Sequence, residues 1–280
     1  MLESLISVLQ LEFMQNALMA GILVSIACGI IGTFVVVNRI VFITGGIAHS
    51  AYGGVGLGYF LGFNPIVGAI AFAVMSGIGM GIVEKKTEER ADTIIGIMWA
   101  IGMSLGIIFI DLTKGYKANL MSYLFGSILA VPKNDLWIML LLDVIIILMV
   151  LLFYKELLAI SFDPIFATTR NLPVDAIYLM LLSAIALTVV MVMQVVGLIM
   201  VIALLTIPAA VANQFVREIK QMMILSTILG VFFTFLGLWL AYIFNLTSGA
   251  TIIMVCGISY LISVAIKQKL LLNYDREGIS

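Results

Sequence analysis

Apolar residues run along this chain in long blocks broken by short polar connections. Blocks of about 17–25 residues are long enough to cross a hydrocarbon core of about 30 Å as helices. They fall near residues 13–38, 41–62, 65–83, 93–111, 136–153, 176–193, 195–215, 222–244 and 249–266. The pattern predicts an all-α, polytopic membrane protein with about nine transmembrane helices. A further apolar piece, LMSYLFGSILAV at residues 120–131, is too short to cross and is expected to re-enter or to lie on the surface.

Composition strengthens this picture. Of the 280 residues, 63% are hydrophobic and only 10% charged, whereas soluble domains run near half apolar and a quarter charged. A formal net charge of -1 leaves no basic footprint for nucleic acid. The start, MLESLISVLQLEF, carries Glu3 and Glu12 but no Lys or Arg before Arg39. It lacks the positive region of a cleavable signal and is expected to stay in the mature chain. Cys28 and Cys256 both sit inside apolar blocks, which argues against a disulfide or zinc framework. With no internal repeat and no long linker, residues 1–280 read as a single membrane domain.

Lys and Arg set the expected orientation, because they collect on the cytoplasmic side. Placing Arg39 inside also puts Lys85, Lys86, Arg90, Lys155, Arg170, Arg217, Lys220, Lys267, Lys269 and Arg276 inside, and leaves Lys114, Lys117 and Lys133 outside. The expectation is a multi-pass protein of the plasma or inner membrane, N-terminus outside and C-terminus cytoplasmic.

Missing motifs narrow the function. There is no GxxxxGK[ST] loop, so this chain does not hydrolyse nucleotide by that route. HExxH and GxSxG are absent, and the one histidine cannot form the pair a metalloprotease needs. A rhomboid-like serine enzyme would pair that histidine with a serine, but no glycine-flanked serine motif accompanies it. No basic residue lies deep in a span, which excludes a voltage sensor.

Polar groups at depth are few: Asn16, His49, Ser50, Asp143 and Gln194. His49 lies in GGIAHSAYGGVGLG, residues 45–58. A helix starting near Val41 carries it about 12 Å inward, close to the midplane, where transport sites tend to lie. Neutral imidazole is a common transition-metal ligand, but a lone membrane histidine also serves as a helix-to-helix hydrogen-bond partner. Both readings stand on the residues alone. Gly54 and Gly58 have the GxxxG spacing of close helix packing. Asp143 in the fifth block is a second, weaker candidate for an ion pathway; Asn16 and Gln194 read as interhelical glue. The seventeen methionines are scattered through the spans and read as gap-filling core.

Residues 154–176 form the longest cytoplasmic connection. Ser161 and Asp163 precede Pro164, which suits the first turn of a helix, and the pattern predicts a short helix from Pro164 to Thr169. Phe162, Ile165 and Phe166 would project from it, toward a partner protein or toward headgroups. Pro208, in LLTIPAAV, predicts either a hinge or a fixed bend.

Several stretches, in order, resemble the permeases of metal-type ABC transporters, the membrane subunits of zinc, manganese and iron importers. They are GGIAHSAYGGVGLG, EKKTEERADTIIGIMWAIGMSLGIIF (84–109), SYLFGSILAV (122–131), LLAISFDPIFATTRNLPV (157–174), VGLIMVIALLTIPAAVA (196–212) and NLTSGATIIMVCGISYLIS (245–263). The resemblance implies a type II importer-like permease that works as a homodimer with the pathway on its two-fold axis. It implies His49 in that pathway and a divalent transition-metal ion as cargo, Zn2+ first, with Mn2+ or Fe2+ as others. It also implies two copies of a separate ATP-binding subunit and an extracytoplasmic metal-binding protein; no cofactor is expected on this chain. The helix at Pro164 would be the coupling helix, with Asp163, Pro164 and Ala167 matching the family pattern and Phe166 beside them. In many members an acid lies four residues before the histidine; here that position is Gly45. The rivals are a vitamin- or siderophore-type permease, an ion-gradient-driven carrier and a non-transport scaffold.

Overall fold

The computed structural model describes residues 11–86, 91–113, 126–198 and 201–277, and among them every regular element is helical. Helix α1 spans Glu12–Val37, α2 Val41–Leu61, α3 Pro65–Lys86 and α4 Ala91–Leu112. A single 3-10 turn, Ile128–Ala130, leads into α5, Lys133–Leu152. Two short helices follow, α6 at Tyr154–Phe162 and α7 at Pro164–Thr169. The chain then forms α8 (Val174–Val196), α9 (Val201–Phe215), α10 (Ile219–Phe244) and α11 (Ser248–Glu277). Glu3, Arg90, Lys114, Lys117 and residues 120–125 lie outside the described residues.

Seven of these helices, α1, α3, α4, α5, α8, α10 and α11, are long and apolar enough to cross a membrane. The remaining two of the nine expected spans differ for separate reasons. Helix α2 has the length, 21 residues, but its glycines, His49 and two tyrosines dilute its hydropathy. It tolerates this because residues 43–56 are all buried, so protein rather than lipid surrounds it. Helix α9 has only 15 residues, a rise of about 22 Å against a core of about 30 Å. The block expected at 195–215 is broken where Gly197 takes a φ of 83° and ends α8. Gly126 passes so close there that a Cβ on it would lie 2.1 Å from the Gly197 nitrogen. The described part of the short apolar piece, 126–131, is therefore held against the end of α8, with Ile128 fully buried.

Two groups of helices meet along α8. Helix α2 is clasped between α3 and α4, while α1 packs against α5, α9 and α10, and α8 touches α1, α2 and α3. Glycines allow the closest approach. A Cβ on Gly54 would lie 2.0 Å from the Gly68 carbonyl oxygen of α3, so the GxxxG face does pack as its spacing suggested. The connection between α2 and α3 reads as cap chemistry: Gly62 closes α2 with a left-handed φ of 77°, and Asn64 Oδ1 accepts from the Ile66 amide (2.9 Å) just behind Pro65.

Side-chain contacts gather most basic connections at one end of the bundle. Asn38 Nδ2 donates to Ser161 Oγ (2.9 Å), joining the α1–α2 turn to α6. Lys85 pairs with Asp175, and the Tyr178 hydroxyl donates to Glu84 (2.9 Å), joining α3 to α8. Lys220 at the start of α10 sits 5.2 Å from the centre of the Tyr154 ring.

Candidate functional site

His49 is buried on α2, on the side that faces α4. Its imidazole stacks on the Trp99 indole, with ring centres 3.6 Å apart and planes inclined by 15°. Its Nδ1 lies 3.0 Å from Met103 Sδ, while Nε2 has no hydrogen-bond partner among the described residues. Trp99 and Met103 are four apart on α4, one helical turn, and so share a face. Two backbone approaches bring that face in. A Cβ on Gly102 would lie 2.4 Å from Ser50 Cα, and one on Gly106 2.6 Å from the Tyr52 carbonyl oxygen. Ser50 Oγ donates to the Met98 carbonyl (3.1 Å), tying the helices beside the histidine.

Gly45 is one turn before His49, and the space beside it is filled. A Cβ there would lie 2.8 Å from Ile202 Cδ1 of α9 and 3.3 Å from Trp99 Cζ3. The indole and the isoleucine stand where a longer side chain would point. Among the described residues no three His, Cys, Asp or Glu side chains gather in a way that could hold a metal ion.

The other candidates lie apart. Asp143 is buried on α5, both carboxylate oxygens lack hydrogen-bond partners among the described residues, and α5 packs on α1 and α8 rather than α2. Gln194 borders a cleft of about 260 Å³ with Ser127 and Asp135, at the end of the bundle opposite Arg39. Pro208 is buried inside α9, which continues as helix through it.

The second cluster is at the basic end. Helix α7 has the bounds its sequence predicts, Pro164–Thr169. Asp163 caps it by accepting from the Phe166 amide (2.8 Å), with Pro164 in the first turn. Phe162, Ile165 and Phe166 are exposed, and the Arg170 guanidinium covers the Phe166 ring at 5.2 Å. Ala167 is fully buried, so it seats the helix and does not point outward.

A model of the ABC 3 transport family matches residues 10–267. The chain belongs to that family. It is 61% identical to an uncharacterized membrane protein of Synechocystis sp., over 96% of this chain and 95% of that one. It is 36% identical to the manganese transport system membrane protein MntC of Listeria monocytogenes, over 97% of each. Among solved structures it is similar to PsaBC from Streptococcus pneumoniae in complex with Fab, with a TM-score of 0.85 and 34% identity, over 94% of this chain and 95% of that one. This protein is thus a multi-pass membrane member of a transport family, with the permease fold of that neighbour.

His49 stands out in the sequence, whereas Trp99, Met103 and Ile202 do not. Their signal was present for the first two: WAIGM places both on the face that carries Gly102 and Gly106. Met103 is one of the seventeen scattered methionines, and its sulfur touches the one imidazole in the chain. Ile202 meets Gly45 only through the tertiary packing of α9, and no local pattern announces it.

Proposed function

We propose that this chain is the permease subunit of an ATP-binding-cassette importer for a divalent transition-metal ion. The observation that carries the proposal is His49, a neutral-type ligand about 12 Å inside a helix, with a thioether at 3.0 Å and an Nε2 that no described residue engages.

The cargo class draws support from the relatives' names, which include manganese transport systems. Zn2+, the ion the sequence resemblance put first, is not the ion these names carry. The proposed class is therefore divalent transition-metal ions, Mn2+, Fe2+ and Zn2+ included. One chain supplies His49 with a single neighbouring donor, too few for an ion that takes four or more. That shortfall supports a homodimer, in which two copies bring two such pairs to a shared axis.

The working cycle follows from the two ends of the molecule. A separate extracytoplasmic binding protein delivers the ion to the end bearing Lys133, and two separate ATP-binding subunits dock at the basic, cytoplasmic end. Exposed Phe162, Ile165 and Phe166 on a rigidly capped α7 are suited to fill a groove on such a subunit. Binding of ATP and of the loaded binding protein would favour different states of the permease, which is what alternating access requires. A weak, few-donor site at mid-depth lets the ion leave.

Reconstitution with the ATPase tests this. Uptake of Mn2+, Fe2+ or Zn2+ that requires ATP is the expected result. Uptake that persists without ATP and follows an ion gradient would replace the proposal with a secondary carrier.

A further inference from the structure

We propose that Met103 is a second ligand to the transported ion beside His49, and that this imidazole–thioether pair tilts the site toward Zn2+ and Fe2+ and away from Mn2+. The inference rests on the permease reading and deepens it, by naming which ions of the class the site prefers.

Four observations converge. The Met103 sulfur lies 3.0 Å from His49 Nδ1, in direct contact and without any intervening group. Trp99, stacked on the imidazole at 3.6 Å, fixes the plane of the ring so that Nδ1 stays aimed at that sulfur. Gly45, on the same face of α2, has its side-chain space occupied by Ile202 and Trp99, so no carboxylate can be added there without displacing them. Asp143 sits on α5, which packs on α1 and α8.

The donor chemistry then decides the ion. Mn2+ favours carboxylate, carbonyl and water oxygens, whereas imidazole and sulfur donors suit Zn2+ and iron. An ion bridging nitrogen and sulfur needs them about 3.5 Å apart for tetrahedral bonds of ordinary length. Methionine's flexible, unbranched stem can open the present contact by that half ångström without moving α4. The thioether is neutral and a weak ligand, so the ion is selected without being trapped.

The test uses the purified complex of permease and ATPase. Zinc X-ray absorption should show a sulfur neighbour in the wild type, and titration should give a Zn2+-over-Mn2+ affinity ratio. Met103→Leu should remove the sulfur and lower that ratio by about tenfold, the scale on which changes around a bound metal act. Met103→Asp should shift preference toward Mn2+, a reversal that misfolding cannot produce. An unchanged ratio in Met103→Leu, with zinc binding still abolished by His49→Ala, overturns the role of Met103 alone. A wild-type complex that binds neither ion overturns the permease reading and this inference with it.

Discussion

At the residue scale, the decisive contrast is between His49 and Asp143, the two buried ionisable groups that the sequence brought forward. His49 has aromatic and sulfur neighbours built around it by α4. Asp143 has two unpartnered oxygens in a packed interface, a costly arrangement that an apolar residue of similar size relieves. We expect Asp143→Leu to raise the melting temperature of the purified protein while leaving uptake within about twofold, since α5 packs on α1 and α8 and not directly on α2 or α4. A loss of uptake in a stable Asp143→Leu protein would put the carboxylate in the pathway. Gly54 makes the opposite case: with a Cβ only 2.0 Å from the Gly68 oxygen, Gly54→Val must push α2 and α3 apart and should cost about 1–3 kcal/mol. Thermal unfolding in detergent would show this as a lowered midpoint. His49 stands out in the sequence because it is the one imidazole in the chain and lies in an apolar block. Its surroundings do not, because Trp99 and Met103 come from 50 and 54 residues away and meet it only when glycine-lined helices close together.

At the element scale, α7 was the most predictable feature of the chain. Asp163 and Pro164 set its start through local chemistry, and local chemistry is what a sequence displays directly. Which of its side chains face outward needed the tertiary structure: Ala167 is buried, whereas Ile165 is 78% exposed. Ile165→Asp is therefore expected to leave the permease folded but to weaken its association with the ATPase at least about tenfold, measured by co-purification or surface plasmon resonance. Asp163→Ala should act more gently, costing about 1 kcal/mol of helix stability through the lost cap, and should reduce coupling in proportion. Equal ATPase binding by Ile165→Asp would place the docking surface elsewhere. Helices α2 and α9 were the least legible as spans. Hydropathy measures contact with lipid, and α2 is enclosed by protein; the apolar block at 195–215 is interrupted at Gly197, whose positive φ ends α8 and which reads in sequence as one more small residue.

At the scale of the whole molecule, the all-helical, membrane-embedded architecture was legible from apolar block length alone, and the transport family from the order of its motifs. Pairing of basic connections at one end through Asn38–Ser161, Lys85–Asp175 and Lys220–Tyr154 is consistent with a cytoplasmic face there, where α7 also sits. Cysteine labelling from either side of the membrane should find a probe at Ile165 accessible only from the cytoplasm. In the proposed function, an imidazole at mid-depth and a docking helix at the inner face belong to one ATP-driven path, and the account stands on both. Its most direct test is ATP-dependent metal uptake into vesicles by the wild-type complex compared with His49→Ala, with assembly verified by co-purification of the ATPase. The account predicts that the variant complex assembles and loses uptake by at least about tenfold; equal uptake by the two complexes would contradict it.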